Sequence, residues 1–366
     1  MIKVTLTNEI LNYITEIDKN RYDVASYKLP KSVANKLRKN SKKKSSYAST
    51  KIEGNPLSEK QVDEVIENDK HKHYLKPEQE VRNYYLALNY LEEKATNKEK
   101  FSKKLILDVQ KLVEKGASKE KIGLRGPTPP GVLFAVYDSD TGNPDYIPPE
   151  YVDVPELLDE LVTYVNETDD HPLIVSAVVH YQLVTIHPFE DGNGRTARLL
   201  SGYILDINGY GFNGIGSLEE YFAYDIQEYY DSIQMGLPAL YYNGRNNPPH
   251  SEIWFNYFLK MVLLYSNKVS ELSKTSDEDG LSSSLSYLKS REEELLLFLI
   301  ENYKREFTPI EVSKELDITN RTVINRLSTL VKNGFVVPNI TGERIRSYSL
   351  SDFTRQHEKE IVKNLK

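Results

Sequence analysis

His187, Asp191, Arg195 and Arg198 fall within one short run, His187-Pro188-Phe189-Glu190-Asp191-Gly192-Asn193-Gly194-Arg195-Thr196-Ala197-Arg198. No other stretch of the chain gathers so much site chemistry. An imidazole can take up a proton near neutral pH. A single carboxylate suits a hard divalent cation that draws its other ligands from phosphate oxygens. Two guanidinium groups three positions apart share one face of a helix and match phosphate geometry. Gly192-Asn193-Gly194 tolerates positive φ, so successive backbone N–H groups can turn inward as an anion nest ahead of a helix. A base, a cation holder and a set of donors are what an alcohol needs to attack a phosphorus atom.

Two helices must position these groups. The run Leu173-Ile174-Val175-Ser176-Ala177-Val178-Val179 is apolar at helical spacing and predicts a buried helix over 172–186 that delivers His187 to its end. Pro188 stops that helix and pushes the preceding residue out of the helical region. A second helix starts behind the glycines, carries both arginines on one face and continues through Leu199-Leu200-Ser201-Gly202-Tyr203-Ile204-Leu205 until Gly209. Phe189 reads as a core residue that fixes the loop. His180, a lone histidine inside an apolar helix, reads as a satisfied core residue.

The run is similar to the signature of Fic-domain proteins, His-x-Phe-x-(Asp/Glu)-Gly-Asn-Gly-Arg-x-x-Arg, and fills every fixed position. More loosely, the likeness extends over residues 45–265. It implies a protein adenylyltransferase that moves AMP from ATP to a Thr, Ser or Tyr hydroxyl of a target protein and of itself. His187 would be the base. Glu190, Asp191, Gly192, Asn193, Gly194, Arg195 and Arg198 would bind ATP and its phosphates, and Asp191 would hold Mg²⁺. Tyr229 and Tyr230 resemble the place where family members contact adenine, although tyrosines at helical spacing fit a core equally well. Upstream, Ser49-Thr50-Lys51-Ile52-Glu53-Gly54 resembles the family's inhibitory motif, with Ser49, Glu53 and Gly54 in the fixed places. That resemblance implies an inhibitory helix over about 45–55 whose Glu53 pairs with Arg198 and spoils the γ-phosphate position. Gly54 and Asn55 suit the C-terminal cap of such a helix. Glu53 then lies at the end of a helix that repels anions and needs a cationic partner elsewhere. A hairpin over 131–148, with strands at 132–137 and 146–147 around a turn at 138–143, corresponds to the family's flap, which holds the target by strand addition.

Composition bounds the rest. The 366 residues are 39% hydrophobic and 28% charged, with a net charge of −7 that gives no global basic field for nucleic acid. There are no cysteines, which excludes disulfides and thiolate metal sites. The N-terminus has no signal-peptide core and no apolar run reaches membrane length, so a cytoplasmic protein with no membrane partner is the expectation. Residues 1–44 are lysine-rich and read as solvated surface. The expected fold is mainly α: a Fic-type helical bundle with a short β-hairpin flap, plus a small C-terminal winged helix domain of α+β type. The expected divisions are an N-terminal helical region over 1–110, a catalytic core over 111–268, a serine-rich linker over 269–286 and a winged helix-turn-helix over 287–366. Helices near 291–302, 308–316 and 318–330 followed by strands at 335–337 and 344–350 carry that last reading. Asn320, Arg321, Asn325 and Arg326 could meet DNA, but cationic and anionic residues nearly balance there, so a protein partner is as good a fit. Two other classes stay open: a DNA-binding regulator whose core senses nucleotide, and transfer of phosphocholine or phosphate on the same scaffold. A homodimer is compatible with the sequence, which is silent on the identity of the target.

Overall fold

A computed structural model of the chain describes residues 1–27, 29, 31–67, 74–117, 122–137, 141–286, 288–303, 305–341 and 344–365. It is mainly helical and divides into two compact units. One comprises residues 1–21 and 37–269, the other residues 22–36 and 270–366. Residues 37–110 therefore cluster with the signature and do not form a separate N-terminal body.

In chain order the helices are α1 (Asn8–Ser26), α2 (Lys31–Ile52), α3 (Glu59–Glu67), α4 (Lys76–Thr96) and α5 (Lys103–Glu114). A small hairpin follows, β1 (Val136–Tyr137) and β2 (Pro144–Tyr146). Then come α6 (Val154–Glu167), α7 (Pro172–Ile186), α8 (Asn193–Ile207), α9 (Glu219–Phe222), α10 (Ile226–Gln234) and α11 (Glu252–Ser286). α7 is apolar and buried on all sides, as a central helix must be. Its first turn is set by Pro172 and by His171, whose ring nitrogen accepts from the N–H of Leu173. α8 packs back along α7, and α4 and α5 pack against α8. α5 is started by Ser102, whose hydroxyl accepts from the N–H of Leu105 at 3.2 Å. Trp254, Phe258, Phe222 and Tyr229 surround His180, and the Trp254 indole N–H donates to the Ala177 carbonyl at 2.9 Å.

Three expectations change here. The short helix expected over about 45–55 is the end of a longer one: α2 runs for 22 residues. Its lysines are not simply solvated. Lys43 is nearly buried between Asp63 and Glu67, Lys42 pairs with Glu92, and Lys44 with Glu220. Those partners are distant in sequence, so the charge run alone could not reveal them. The hairpin is shorter than expected, because prolines at 129, 130, 144, 148 and 149 remove the donors a longer ladder needs. Part of its expected turn, residues 138–140, lies outside the described residues. Beyond β2, Ile147 donates to the Ala239 carbonyl and accepts from the N–H of Tyr241, which anchors the returning strand.

The second unit contains α12 (Ser290–Asn302), α13 (Pro309–Glu315), α14 (Asn320–Lys332), β3 (Val336–Thr341), β4 (Arg344–Leu350), α15 (Asp352–Gln356) and α16 (Glu358–Leu365). Thr308 caps α13 reciprocally with Glu311, and Thr319 caps α14. Leu295, Leu299, Val312, Val323, Leu327 and Phe335 form its core. β3 and β4 pair antiparallel, and Phe307 adds two 2.8 Å backbone bonds to Tyr348. Tyr348 thus turns its N–H and C=O away from β3, which lets Pro338 sit opposite it without a donor. Residues 342–343 of the expected turn lie outside the described residues. The serine-rich stretch over 269–286 is helical, the second half of α11. Leu281 and Leu285 are buried in this unit's core, and that packing outweighs the low helix preference of the surrounding serines. No helix among the described residues is long and apolar enough to cross a membrane.

Candidate functional site

α7 ends at Ile186 and His187 caps it with φ 51° and ψ 59°. The residue before Pro188 does leave the helical region, but into the left-handed one, which costs a non-glycine residue energy. Three contacts hold it there. Its N–H donates to the Leu183 carbonyl at 3.2 Å, its carbonyl accepts from Arg125 Nε at 2.8 Å, and its ring Nδ1 lies 3.2 Å from the Val184 carbonyl. A carbonyl can only accept, so Nδ1 carries the proton and Nε2 keeps its lone pair. Burial lowers the His187 pKa to about 4. The nearby Arg125 charge adds to this, against the opposing pull of Val184, Glu53 and Asp191. The ring is therefore neutral at physiological pH, the form a base requires.

The loop behind it is braced from within. Phe189 is fully buried, and the Asn193 side chain both accepts from its N–H at 3.0 Å and donates to its carbonyl at 2.9 Å. The Asn193 amide is thus committed to loop shape and does not face an anion. Of the three residues expected to form the nest only Gly192 has positive φ, 82°, while Asn193 and Gly194 open α8. One left-handed glycine is enough to aim the first N–H groups of α8 outward from the loop. Asp191 Oδ1 accepts from the N–H of Gly192 at 2.6 Å and from Arg195 Nη2 at 3.1 Å. Glu190 lies exposed beside it.

The two arginines are in different situations. Arg195 is buried, and its Nη2 lies 3.0 Å from Glu114 at the end of α5. Among the described residues its Nε and Nη1 have no hydrogen-bond partner. Two buried, unsatisfied guanidinium donors beside the start of a helix form a cradle for an anion. Arg198 is buried, and its Nε and Nη2 are engaged by the end of α2. Its Nε donates to Ser49 Oγ at 2.8 Å, and its Nη2 donates to the Ser49 carbonyl at 3.0 Å and to Glu53 Oε1 at 2.6 Å. Glu53 also lies over the first turn of α8, since a Cβ built on Gly194 would stand 2.5 Å from its Oε1. Burial alone would raise the Glu53 pKa, but the charges of Arg198 and Arg195 outweigh it and the pKa is lowered. Gly54, at φ 80°, closes α2 with its N–H on the Lys51 carbonyl.

Tyr229 is buried in the aromatic core, while Tyr230 is partly exposed next to it. The Tyr229 hydroxyl lies 2.9 Å from His180 Nε2 and 3.5 Å from Arg198 Nη1. Ser201 donates to the Arg198 carbonyl, so its oxygen accepts from His180 Nδ1 and leaves Nε2 to accept from Tyr229. Tyr229 consequently turns a lone pair to Arg198, and the core histidine helps to orient that arginine.

Sequence reasoning missed three contributors, Glu114, Gln110 and Arg125. Gln110 contacts the Asp191 carbonyl and accepts from the N–H of Gly123, and Glu114 packs directly under Gly192. None lies in a recognisable motif, and each meets the site only through the fold. Among the described residues no group of three or more metal-ligating side chains occurs. Asp191, a partly exposed carboxylate, fits an arrangement in which phosphate oxygens complete the cation's shell.

The model of the Fic/DOC family matches residues 100–205. A protein adenylyltransferase Fic from Aedes aegypti is 41% identical over 68 residues, which cover 18% of this chain and 14% of that protein. A second, from Drosophila grimshawi, is 30% identical over 176 residues, covering 45% of this chain and 33% of that protein. The chain thus spans a third or less of the length of these relatives. Among solved structures, a Fic family protein from Desulfovibrio desulfuricans G20 superposes with a TM-score of 0.59 at 20% identity, covering 96% of this chain and 98% of that one. Fic-1 from C. elegans superposes with a TM-score of 0.57 at 24% identity, covering 73% of each chain. Fold, signature geometry and family match agree over residues 100–205, the stretch that matches the Fic/DOC family.

Proposed function

We propose that the protein is an adenylyltransferase that transfers AMP from ATP to a hydroxyl side chain of a protein, and that it is held inactive by its own Glu53. The observation that carries this reading is that α2 occupies Arg198 while Arg195 keeps two buried donors unpartnered at the same helix start. ATP phosphates would take the cradle formed by the first turn of α8 and Arg195, and would need Arg198 as well. With Glu53 seated, a γ-phosphate meets a carboxylate where it needs a cation.

In the reaction His187 Nε2 takes the proton from the attacking hydroxyl. The hydroxyl oxygen bonds to the α-phosphorus, the bond from that phosphorus to the β-bridging oxygen breaks, and pyrophosphate leaves with both electrons. Backbone N–H groups of the Gly192–Gly194 turn and the two arginines stabilise the charge on the departing phosphates. Asp191 would hold Mg²⁺, which supplies charge neutralisation on the phosphates. The target segment would lie along the exposed edge of the β1–β2 hairpin, where Val136 and Tyr137 are exposed. Residues 287–366 serve as a winged helix module for a protein or DNA partner. Incubating the Glu53→Gly protein with ATP and magnesium, with and without a lysate, and reading intact mass tests the reading. A mass gain of one AMP group on itself or a target is expected. A gain of phosphate or phosphocholine, or none, would sink it.

A further inference from the structure

The residue that joins the histidine to the hairpin lies outside both motifs. Arg125 follows Gly123-Leu124 and is buried, although it is a full charge. Its Nε donates to the His187 carbonyl at 2.8 Å. Its Nη2 donates to the Pro149 carbonyl, just beyond β2, and lies 3.5 Å from the Ile186 carbonyl. Its backbone N–H donates to the Pro188 carbonyl at 2.9 Å, and Leu124 bridges to Phe189 next door. The guanidinium also sits 4.7 Å over the ring of Phe134, just before β1, and that ring lies 6.1 Å from the His187 imidazole. One side chain therefore collects the last carbonyl of α7, the carbonyl of the left-handed His187 and both flanks of the hairpin.

Each carbonyl at this corner would otherwise be a buried acceptor at a helix end, where orphan groups must find partners. The left-handed conformation of His187 persists only if its surroundings over-determine it. Arg125 supplies that constraint and gives the same constraint to the segment that would carry the target.

We propose that Arg125 is a positioning residue that fixes the His187 main chain and couples it to the β1–β2 hairpin, so that base and target segment are held in one register. The inference rests on the AMP-transfer reading for its consequence in catalysis, but not for its structural content. Arg125 touches no phosphate site, so its loss should act on the chemical step and on target engagement and leave nucleotide binding alone.

The test uses full-length protein in the Glu53→Gly background. Arg125→Met keeps the bulk and removes every donor, and Arg125→Lys keeps the charge and one donor. Arg125→Met should lower kcat for AMP transfer about 100-fold, the scale of an ångström's misplacement of a catalytic group. ATP affinity should stay within about twofold of the parent, and Arg125→Lys should recover about tenfold of the loss. In parallel, hydrogen exchange should quicken in residues 186–190 and 144–149 of Arg125→Met while residues 173–183 keep their protection. Parent-like kcat, or kcat and ATP affinity falling together, would overturn the proposal. So would unchanged exchange in both segments. If Arg125→Met does not fold, Arg125→Lys carries the same two readouts, with intermediate effects expected. A parent that transfers no AMP at all would defeat the activity reading alone, and the exchange result would still decide the role of Arg125.

Discussion

Arg198 Nη2 donates to both Glu53 Oε1, at 2.6 Å, and the Ser49 carbonyl, at 3.0 Å. One nitrogen thus closes the end of α2 onto the start of α8. Arg198 is buried while the Glu53 carboxylate is partly exposed, so removing Glu53 leaves a buried charge open to whatever anion can replace it. In the proposed reaction that anion is a phosphate.

Glu53→Gly should therefore raise AMP incorporation by about tenfold or more, equivalent to about 1.4 kcal/mol of competition removed. The check is labelled-ATP incorporation at fixed protein concentration. An unchanged rate would make the Glu53–Arg198 contact a structural pair with no inhibitory effect. Arg198→Ala is a weaker test, because it removes the brake and a phosphate ligand together.

In that released background His187→Ala should lose about 100- to 10,000-fold in kcat, the usual contribution of a positioned base. ATP affinity should change little, because among the described residues the ring's hydrogen bond is to the Val184 carbonyl. Retained transfer would contradict the base assignment.

The pH profile follows from burial. His187 has its pKa lowered to about 4, chiefly by desolvation, so the base stays unprotonated well below the ordinary histidine range. Activity of Glu53→Gly should hold as pH falls from 8 to about 5, instead of declining near 6.5. Glu53 favours the charged ring, so its removal moves the acid limb lower still. Stability has the same sign. His180 is buried and its pKa lies well below the ordinary value, so the unfolded chain takes up a proton that the fold refuses. The stability it contributes is present above about 6.5 and is lost as pH falls below that, by about 1.4 kcal/mol per pH unit. The change in denaturant midpoint between pH 7.5 and 5.5, compared in the parent and in His180→Gln, checks this, and equal changes in the two proteins would contradict it.

What the sequence made legible was local. Periodicity over 173–179 predicted α7, Pro188 its end, and Gly54 the cap of α2, because each depends on neighbours along the chain. The linker over 269–286 was misread because Leu281 and Leu285 find their partners in another element. The roles of Asn193, Glu114 and Arg125 were invisible for a related reason. Their partners are main-chain atoms or distant charges, and a carbonyl carries no side-chain signature. The expectation of an inhibitory glutamate needed the family resemblance, since helix-end electrostatics argued only that Glu53 must have a cation somewhere.

Glu114 gives a fourth test. Burial pushes its pKa up to about 7, so its ionised form is held at a cost and its Arg195 contact offsets only part of it. Glu114→Gln keeps the volume under Gly192 and removes the charge that anchors Arg195. ATP KM should rise about tenfold with a smaller change in kcat, the pattern of an arginine that grips phosphate equally before and during reaction. A carboxyl whose folded pKa is raised loses stability as pH rises through the interval from its ordinary value to about 7. The glutamine variant should therefore be at least as stable as its parent at pH 8. A drop in thermal midpoint there would mean that the ion pair with Arg195 outweighs the cost of burying the carboxylate.

Gly54 separates the cap from the carboxylate. It sits at φ 80° with no atom within 4 Å of a built Cβ, so an alanine there meets strain but no clash. That strain is about 1 kcal/mol, since a side chain in the left-handed region crowds the following carbonyl. Asparagine tolerates the same conformation far better. The strain falls on the turn that carries Glu53 to Arg198, and about 1 kcal/mol corresponds to about a fivefold change in the seated population. Gly54→Ala should raise basal AMP transfer about fivefold, short of Glu53→Gly, and Gly54→Asn should match the parent. If alanine and asparagine behave alike, the cap does not set the strength of the brake, and the Arg198 contacts alone hold α2 in place.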